Sequence, residues 1–71
     1  MKTYLEYKDD KSAKFWEVVV SGKTMTIRWG KMGTDGQTKV KELGSREAAE
    51  KEASKAIGQK SKKGYALVDG V

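Results

Sequence analysis

The fold turns on residues 15–29, Phe15-Trp16-Glu17-Val18-Val19-Val20, then Ser21-Gly22-Lys23, then Thr24-Met25-Thr26-Ile27-Arg28-Trp29. Two runs rich in β-branched and aromatic residues flank a glycine turn, which is the pattern of a β-hairpin. In the first run Trp16, Val18 and Val20 share one face, and Phe15, Glu17 and Val19 share the other. Both faces are largely apolar, so this strand is expected to be covered on most of both sides. In the second run Met25, Ile27 and Trp29 point one way and Thr24, Thr26 and Arg28 the other.

Working outward, residues 3–7 are aromatic and β-prone and predict a first strand, with the charged residues 8–14 as a loop. After Trp29 comes Gly30-Lys31-Met32-Gly33-Thr34-Asp35-Gly36, a glycine-rich connection in which Asp35-Gly36 reads as the turn pair. Residues 37–43 form a more polar strand suited to a sheet edge. Ser45 is a good helix N-cap, and residues 46–60 are rich in Ala, Glu and Lys. Ala49, Ala53, Ala56 and Ile57 fall on one helical stripe, and Glu47 precedes Lys51 by four residues. Gly58 is expected to fray or end the last turn, with Gly64 as the cap. Tyr65-Ala66-Leu67-Val68 either returns to the sheet or packs beneath the helix, and residues 69–71 read as a loose tail. The predicted class is α+β: a small antiparallel sheet of about four strands with one α-helix packed across it. Residues 1–71 read as a single domain with its core over about residues 4–68.

The 71 residues contain neither Cys nor His. That removes disulfides, Cys/His zinc sites, thiolate nucleophiles and imidazole bases. The longest aliphatic run, Val18-Val19-Val20, is far short of the ~20 residues of a membrane span, and the N-terminus lacks the apolar stretch of a signal peptide. A soluble, cytoplasmic monomer is expected. The carboxylates are scattered among lysines, so neither an acid/base pair nor a metal or cofactor site is expected, and the chain reads as a non-enzyme.

Fifteen cations against ten anions leave a net charge of +5, and thirteen of the cations are Lys. An excess of this sign favours a polyanionic partner, nucleic acid before an anionic membrane surface, although it also serves solubility. The glycine loop has the spacing G-x-x-G-x-x-G and joins two strands, so it fits neither a dinucleotide fingerprint nor a P-loop nor a KH clamp. Trp29 has two readings. Strand phase puts it in the core with Met25 and Ile27; the adjoining Gly30 and loop allow a stacking platform beside Arg28 and Lys31. Lys60, Lys62 and Lys63 are either a second basic patch or ordinary helix C-terminal charge.

Phe15-Trp16-Glu17-Val18, Ile27 through Gln37, Ser45 through Ala49 and Lys60 through Tyr65 together resemble, in order and spacing, a WGR domain. The resemblance spans about residues 4–68 and centres on Trp29-Gly30-Lys31-x-Gly33-x-x-Gly36-Gln37. It implies an antiparallel sheet crossed by one helix. WGR domains occur in DNA-dependent poly(ADP-ribose) polymerases, where they contact DNA near a strand break, and in bacterial proteins, some of them short and stand-alone. By that resemblance this chain is a stand-alone bacterial member that binds nucleic acid, DNA in preference to RNA. The resemblance makes Trp29 the stacking residue and Lys31 a phosphate contact, with Gly30 and Gly33 letting the loop approach the nucleic-acid backbone; Arg28 and Lys39 are expected to bind phosphate with them. Lys31 stands where the family commonly has Arg, which exchanges a bidentate fork for a point charge. The alternative is a protein-interaction module that uses the same tryptophan loop.

Overall fold

The computed structural model describes residues 1–68. The tail expected at residues 69–71 lies outside the described residues. The chain forms β1 (Lys2–Lys8), β2 (Ala13–Ser21), β3 (Thr24–Lys31), β4 (Gln37–Glu42), α1 (Arg46–Lys62) and β5 (Ala66–Leu67). The strands pair antiparallel in the order β4-β3-β2-β1-β5. The α+β class therefore holds with one strand more than expected. The two-residue β5 returns after the helix and pairs Leu67 with Leu5 and Ala66 with Glu6.

The hairpin forms as its pattern dictates. Val18 sits opposite Ile27 and Val20 opposite Met25, and Gly22 turns the chain with φ +60. A left-handed glycine at the first turn position suits the twist of two-residue hairpins. One face, with Leu5, Trp16, Val18, Val20 and Met25, packs under α1, whose Ala49 and Ala53 are fully buried against it. Two alanines let helix and sheet approach closely, while Ile27, Trp29, Leu43, Ala56, Ile57 and Tyr65 close the rim.

The helix starts at Ser45, whose side-chain oxygen accepts from the Ala48 N–H at 3.1 Å. It runs through Gly58 to Lys62, longer than expected, because its buried face is held by packing rather than by propensity. Its end is a Schellman motif. The Tyr65 N–H donates to the Lys60 carbonyl, the Gly64 N–H donates to the Ser61 carbonyl, and Gly64 adopts φ +100. A Cβ at Gly64 would also stand 3.1 Å from the Tyr7 ring, so this glycine serves both the turn and the packing.

Two expectations about the region after Trp29 are corrected. The strand β3 does not end at Trp29 but continues to Lys31, pairing Gly30 with Phe15 and Lys31 with Lys14. The tight turn is Lys31–Thr34, closed by the Thr34 N–H to the Lys31 carbonyl, with Gly33 at φ +87. Asp35-Gly36 is the return of the loop rather than its turn. Gly36 lies against Phe15, on the face without a helix. Phe15 is only 4 % exposed there because Gly36, the stacked Tyr4 ring (6.1 Å) and the Arg28 guanidinium (4.8 Å from the ring centroid) cover it. The sheet thus carries a large core under α1 and a small one under its own loop.

The β1–β2 connection is organised by Asp9. Its carboxylate accepts from the Lys11 and Ser12 N–H groups at 2.8 and 2.7 Å and from the Tyr7 hydroxyl at 2.9 Å. These donors, the Lys11 N–H foremost, lower the Asp9 pKa to about 2, and the hydrogen bond to the Asp9 carboxylate raises the Tyr7 hydroxyl above its ordinary value. A depressed carboxylate pKa adds stability that is complete above the ordinary value of 3.8 and is lost as pH falls through about 2. We expect Asp9→Asn, which keeps the acceptor oxygen but removes the titration, to flatten the acid limb. Urea midpoints at pH 5 and pH 2.5 check this. The wild-type midpoint should fall further between the two than that of the variant; equal falls would remove Asp9 from acid sensitivity.

Candidate nucleic-acid interface

Strand phase decides which of the candidate side chains can act together. On β3, Trp29 and Lys31 lie on the helix side of the sheet, and Arg28 lies on the other. Trp29 stands between Trp16 on β2 and Gln37 on β4. It packs on the rim of the core and keeps part of its ring in solvent. Trp29 is thus neither fully buried nor fully exposed. Lys31 is exposed beside it.

Arg28 is committed elsewhere. It pairs with Glu17 at 3.5 Å, lies over Phe15 and donates to the Asp35 carbonyl at 3.4 Å. Its contacts fasten the loop to the open face, and the structure does not bring it together with Trp29 and Lys31. Lys39 is exposed on β4 opposite Ile27, on the helix side and diagonal to Trp29. Gly33 opens onto empty space, so the loop tip is accessible. Gly30 is not: a Cβ there would lie 2.7 Å from the Gly36 Cα. Gly30 and Gly36 are small because two stretches of this chain touch.

The structure adds Lys14 beside Lys31, and the end of α1 beside Lys14. Lys14 lies between Lys31 and Tyr7 on adjacent strands, on the helix side, with its ammonium 5.2 Å from the Tyr7 ring centroid. The end of α1 arrives at the same place. Lys60 lies 5.6 Å over the Tyr65 ring, and Tyr65 packs on Tyr7 at 5.6 Å. Burial lowers the Lys60 pKa, and the positive charges of Lys63 and Lys14 lower it further. Lys60 thus lies within electrostatic reach of both Lys14 and Lys63. Lys62, two residues along the helix from Lys60, is exposed and turned to another side.

The two sides of the sheet differ in charge. On the open face Glu17 accepts Lys2 and Arg28, and Glu6 accepts Lys8. Among the described residues, Lys14, Lys31, Lys39, Lys60, Lys62 and Lys63 form no ion pair. Lys11, Lys51 and Lys55 form none either, so unneutralised positive charge is spread over the domain, and Lys14 and Lys31, paired across β2 and β3, are the part of it that lies beside Trp29.

Lys14 escapes the sequence because residues 8–14 look like a charged loop, while Tyr7, expected in the first strand, shows no sign there of its place beside Lys14. The recoverable signal is phase: Lys14 is two residues before Trp16, so a strand beginning at Ala13 puts both on one side. Among the described residues no helix is long and apolar enough to cross a membrane, and no group of carboxylates is placed to hold a metal ion.

Comparison with known proteins agrees with this geometry. The chain is 43% identical over 65 residues to "Uncharacterized protein YfeS" of Escherichia coli K12, covering 92% of this chain and 27% of that protein. It is 46% identical over 59 residues to "Protein YehF" of the same organism, covering 83% and 22%. A crystal structure of a protein from Bacteroides fragilis superposes with a TM-score of 0.91 at 47% identity, covering 96% of this chain and 19% of that one. The chain therefore spans only about a quarter or less of the length of these relatives. The family model for the WGR domain matches residues 1–70, and with the motif carried by Trp29, Gly30, Lys31 and Gly33 in place, the chain belongs to the WGR family.

Proposed function

We propose that this domain binds DNA at the corner formed by Trp29, Lys31, Lys14, Lys60 and Lys63, with preference for an open end. Membership of the family supports a nucleic-acid-binding type of module in general. The observation that carries the finer reading is the pair of unpaired lysines, Lys14 and Lys31, beside a tryptophan held partly buried on the rim of the core. A ring fixed by its buried edge loses little freedom when a sugar or base stacks on it. Lysines held as neighbours against their own repulsion gain most when a phosphate arrives, because it relieves that repulsion. An end exposes the face of a terminal sugar or base, which a continuous duplex does not offer. Lys39 lies at the margin of this surface and extends it along β4.

The test is a titration near physiological salt with a 5′-phosphorylated blunt duplex and with a duplex of equal length closed by hairpins. The open duplex is expected to bind tighter. Trp29→Ala should remove that difference and weaken binding to the open end by about tenfold or more, since aromatic stacking is worth ~1–3 kcal/mol per base. Circular dichroism and urea unfolding of the variant separate loss of stacking from loss of fold. Equal, weak binding to both duplexes would leave only generic charge attraction and would favour the protein-interaction reading of the same loop.

A further inference from the structure

The strand β4 is a free sheet edge along its whole length. Gln37–Glu42 pairs with β3 on one side only, and all six residues are exposed. An antiparallel edge strand turns the N–H and C=O of alternate residues outward, so β4 offers a ladder with no partner among the described residues. Its side chains are patterned. Lys39 and Lys41 point to the helix side, and Val40 points to the open side with 63 % of its surface exposed. Val40 ends a row that crosses the sheet through Thr26 and Val19. An apolar residue on one further strand would continue that row and cover Val40.

A second copy of the chain is the wrong occupant. Antiparallel self-pairing that keeps the faces in phase and centres on Lys39, Val40 or Lys41 sets lysine opposite lysine in each case. Like charges directly across a pair of strands are unfavourable. The same lysines are favourable towards carboxylates. Lys39 forms no ion pair among the described residues, and Lys41 has only Glu52 at 3.8 Å, with both groups half in solvent.

We infer that β4 accepts an extended acidic segment of a partner protein as a further antiparallel strand, with acidic side chains opposite Lys39 and Lys41 and an apolar one beside Val40. The backbone ladder supplies the pairing, and the alternation acidic–apolar–acidic supplies register and choice of partner. The outer edge of β4 is distinct from the Trp29 corner, which it meets at Gln37 and Lys39.

The test is amide hydrogen exchange of the protein alone and with an eight-residue peptide alternating Glu and Val. The outward amides of β4 are expected to exchange at least about tenfold more slowly with saturating peptide, because strand addition hydrogen-bonds them. A peptide with Lys in place of Glu, and one N-methylated at alternate residues, should give no protection. The double variant Lys39→Glu, Lys41→Glu should exchange the preference, so that the Lys peptide protects and the Glu peptide does not. Its fold is checked by exchange at β2, which the substitutions do not touch. The inference is overturned if neither peptide protects β4, if both protect it equally, or if duplex DNA protects the same amides. Loss of DNA binding with β4 protection intact would sink the proposed function alone.

Discussion

Gly36→Ala is expected to destabilise the domain by about 3 kcal/mol or more, a large part of the roughly 4–10 kcal/mol available to a chain of this size. Gly36 has φ +72, where a side chain is strained whatever space surrounds it. Space is also lacking. A Cβ would overlap the Trp29 carbonyl oxygen and stand 2.7 Å from Phe15 Cζ. Neither neighbour can retreat easily. The Trp29 carbonyl belongs to a strand paired on both sides, and the Phe15 ring is enclosed by Tyr4 and Arg28. Gly33→Ala separates the two causes. Gly33 has φ +87 but nothing within 4 Å of its Cβ position, so it carries the backbone strain alone. Urea unfolding should show a small fall in midpoint for Gly33→Ala, about 1 kcal/mol in energy, and a much larger one for Gly36→Ala. Equal falls would mean that the loop does not press on Phe15 and that the second core is not a source of stability.

That pair of glycines marks where sequence reading stopped. Period-two alternation in residues 15–20 and 24–29, the Ser45 cap and the alanine stripe gave the strands, the helix and the face that joins them, because each rests on local geometry. The resemblance makes Gly30 and Gly33 the glycines through which the loop approaches nucleic acid, and Asp35-Gly36 reads as the turn pair. Gly33 fits that role, whereas Gly30 and Gly36 are glycines because they touch each other and Phe15. Contact between residues six apart in a loop leaves no periodic signal. The same limit applies to Arg28. Composition sets it beside Lys31 as a cation, but phase turns it to the opposite face, where Glu17 neutralises it. Trp29 is legible as an ambiguity between core and surface, and it sits partly buried on the rim of the core. Lys14 was hidden because charged residues at a strand's start resemble a loop, and Lys60 and Lys63 become neighbours of Lys14 only once α1 crosses the sheet.

Removing Lys31, Lys60 and Lys63 together is expected to change DNA binding more than any single substitution, and to change its form as well as its strength. Each lysine that contacts a phosphate contributes about 0.9 to the slope of log K against log salt concentration. The triple alanine variant should therefore lose about 2.7 from that slope, and its affinity at low salt should fall by one to two orders of magnitude, on the order of 10–100-fold. The decisive control has the same charge change in another place. Lys2, Lys8 and Lys23 form ion pairs with Glu17, Glu6 and Glu42, away from the helix side of the Trp29 corner. Their removal subtracts the same three charges; the three ammonium groups are themselves more than half exposed, and Glu17 keeps Arg28 as a partner. If binding follows net charge, both triples reduce the slope alike. If binding is confined to the corner, the first triple flattens it and the second leaves it nearly unchanged, since counterions are released only where phosphates are neutralised. Lys60→Ala alone adds a finer check. Its ammonium is held by the Tyr65 ring and pressed by Lys63 and Lys14, so its loss also relieves those two. The single variant should thus cost the free protein little in urea unfolding while still lowering the salt slope by about one contact.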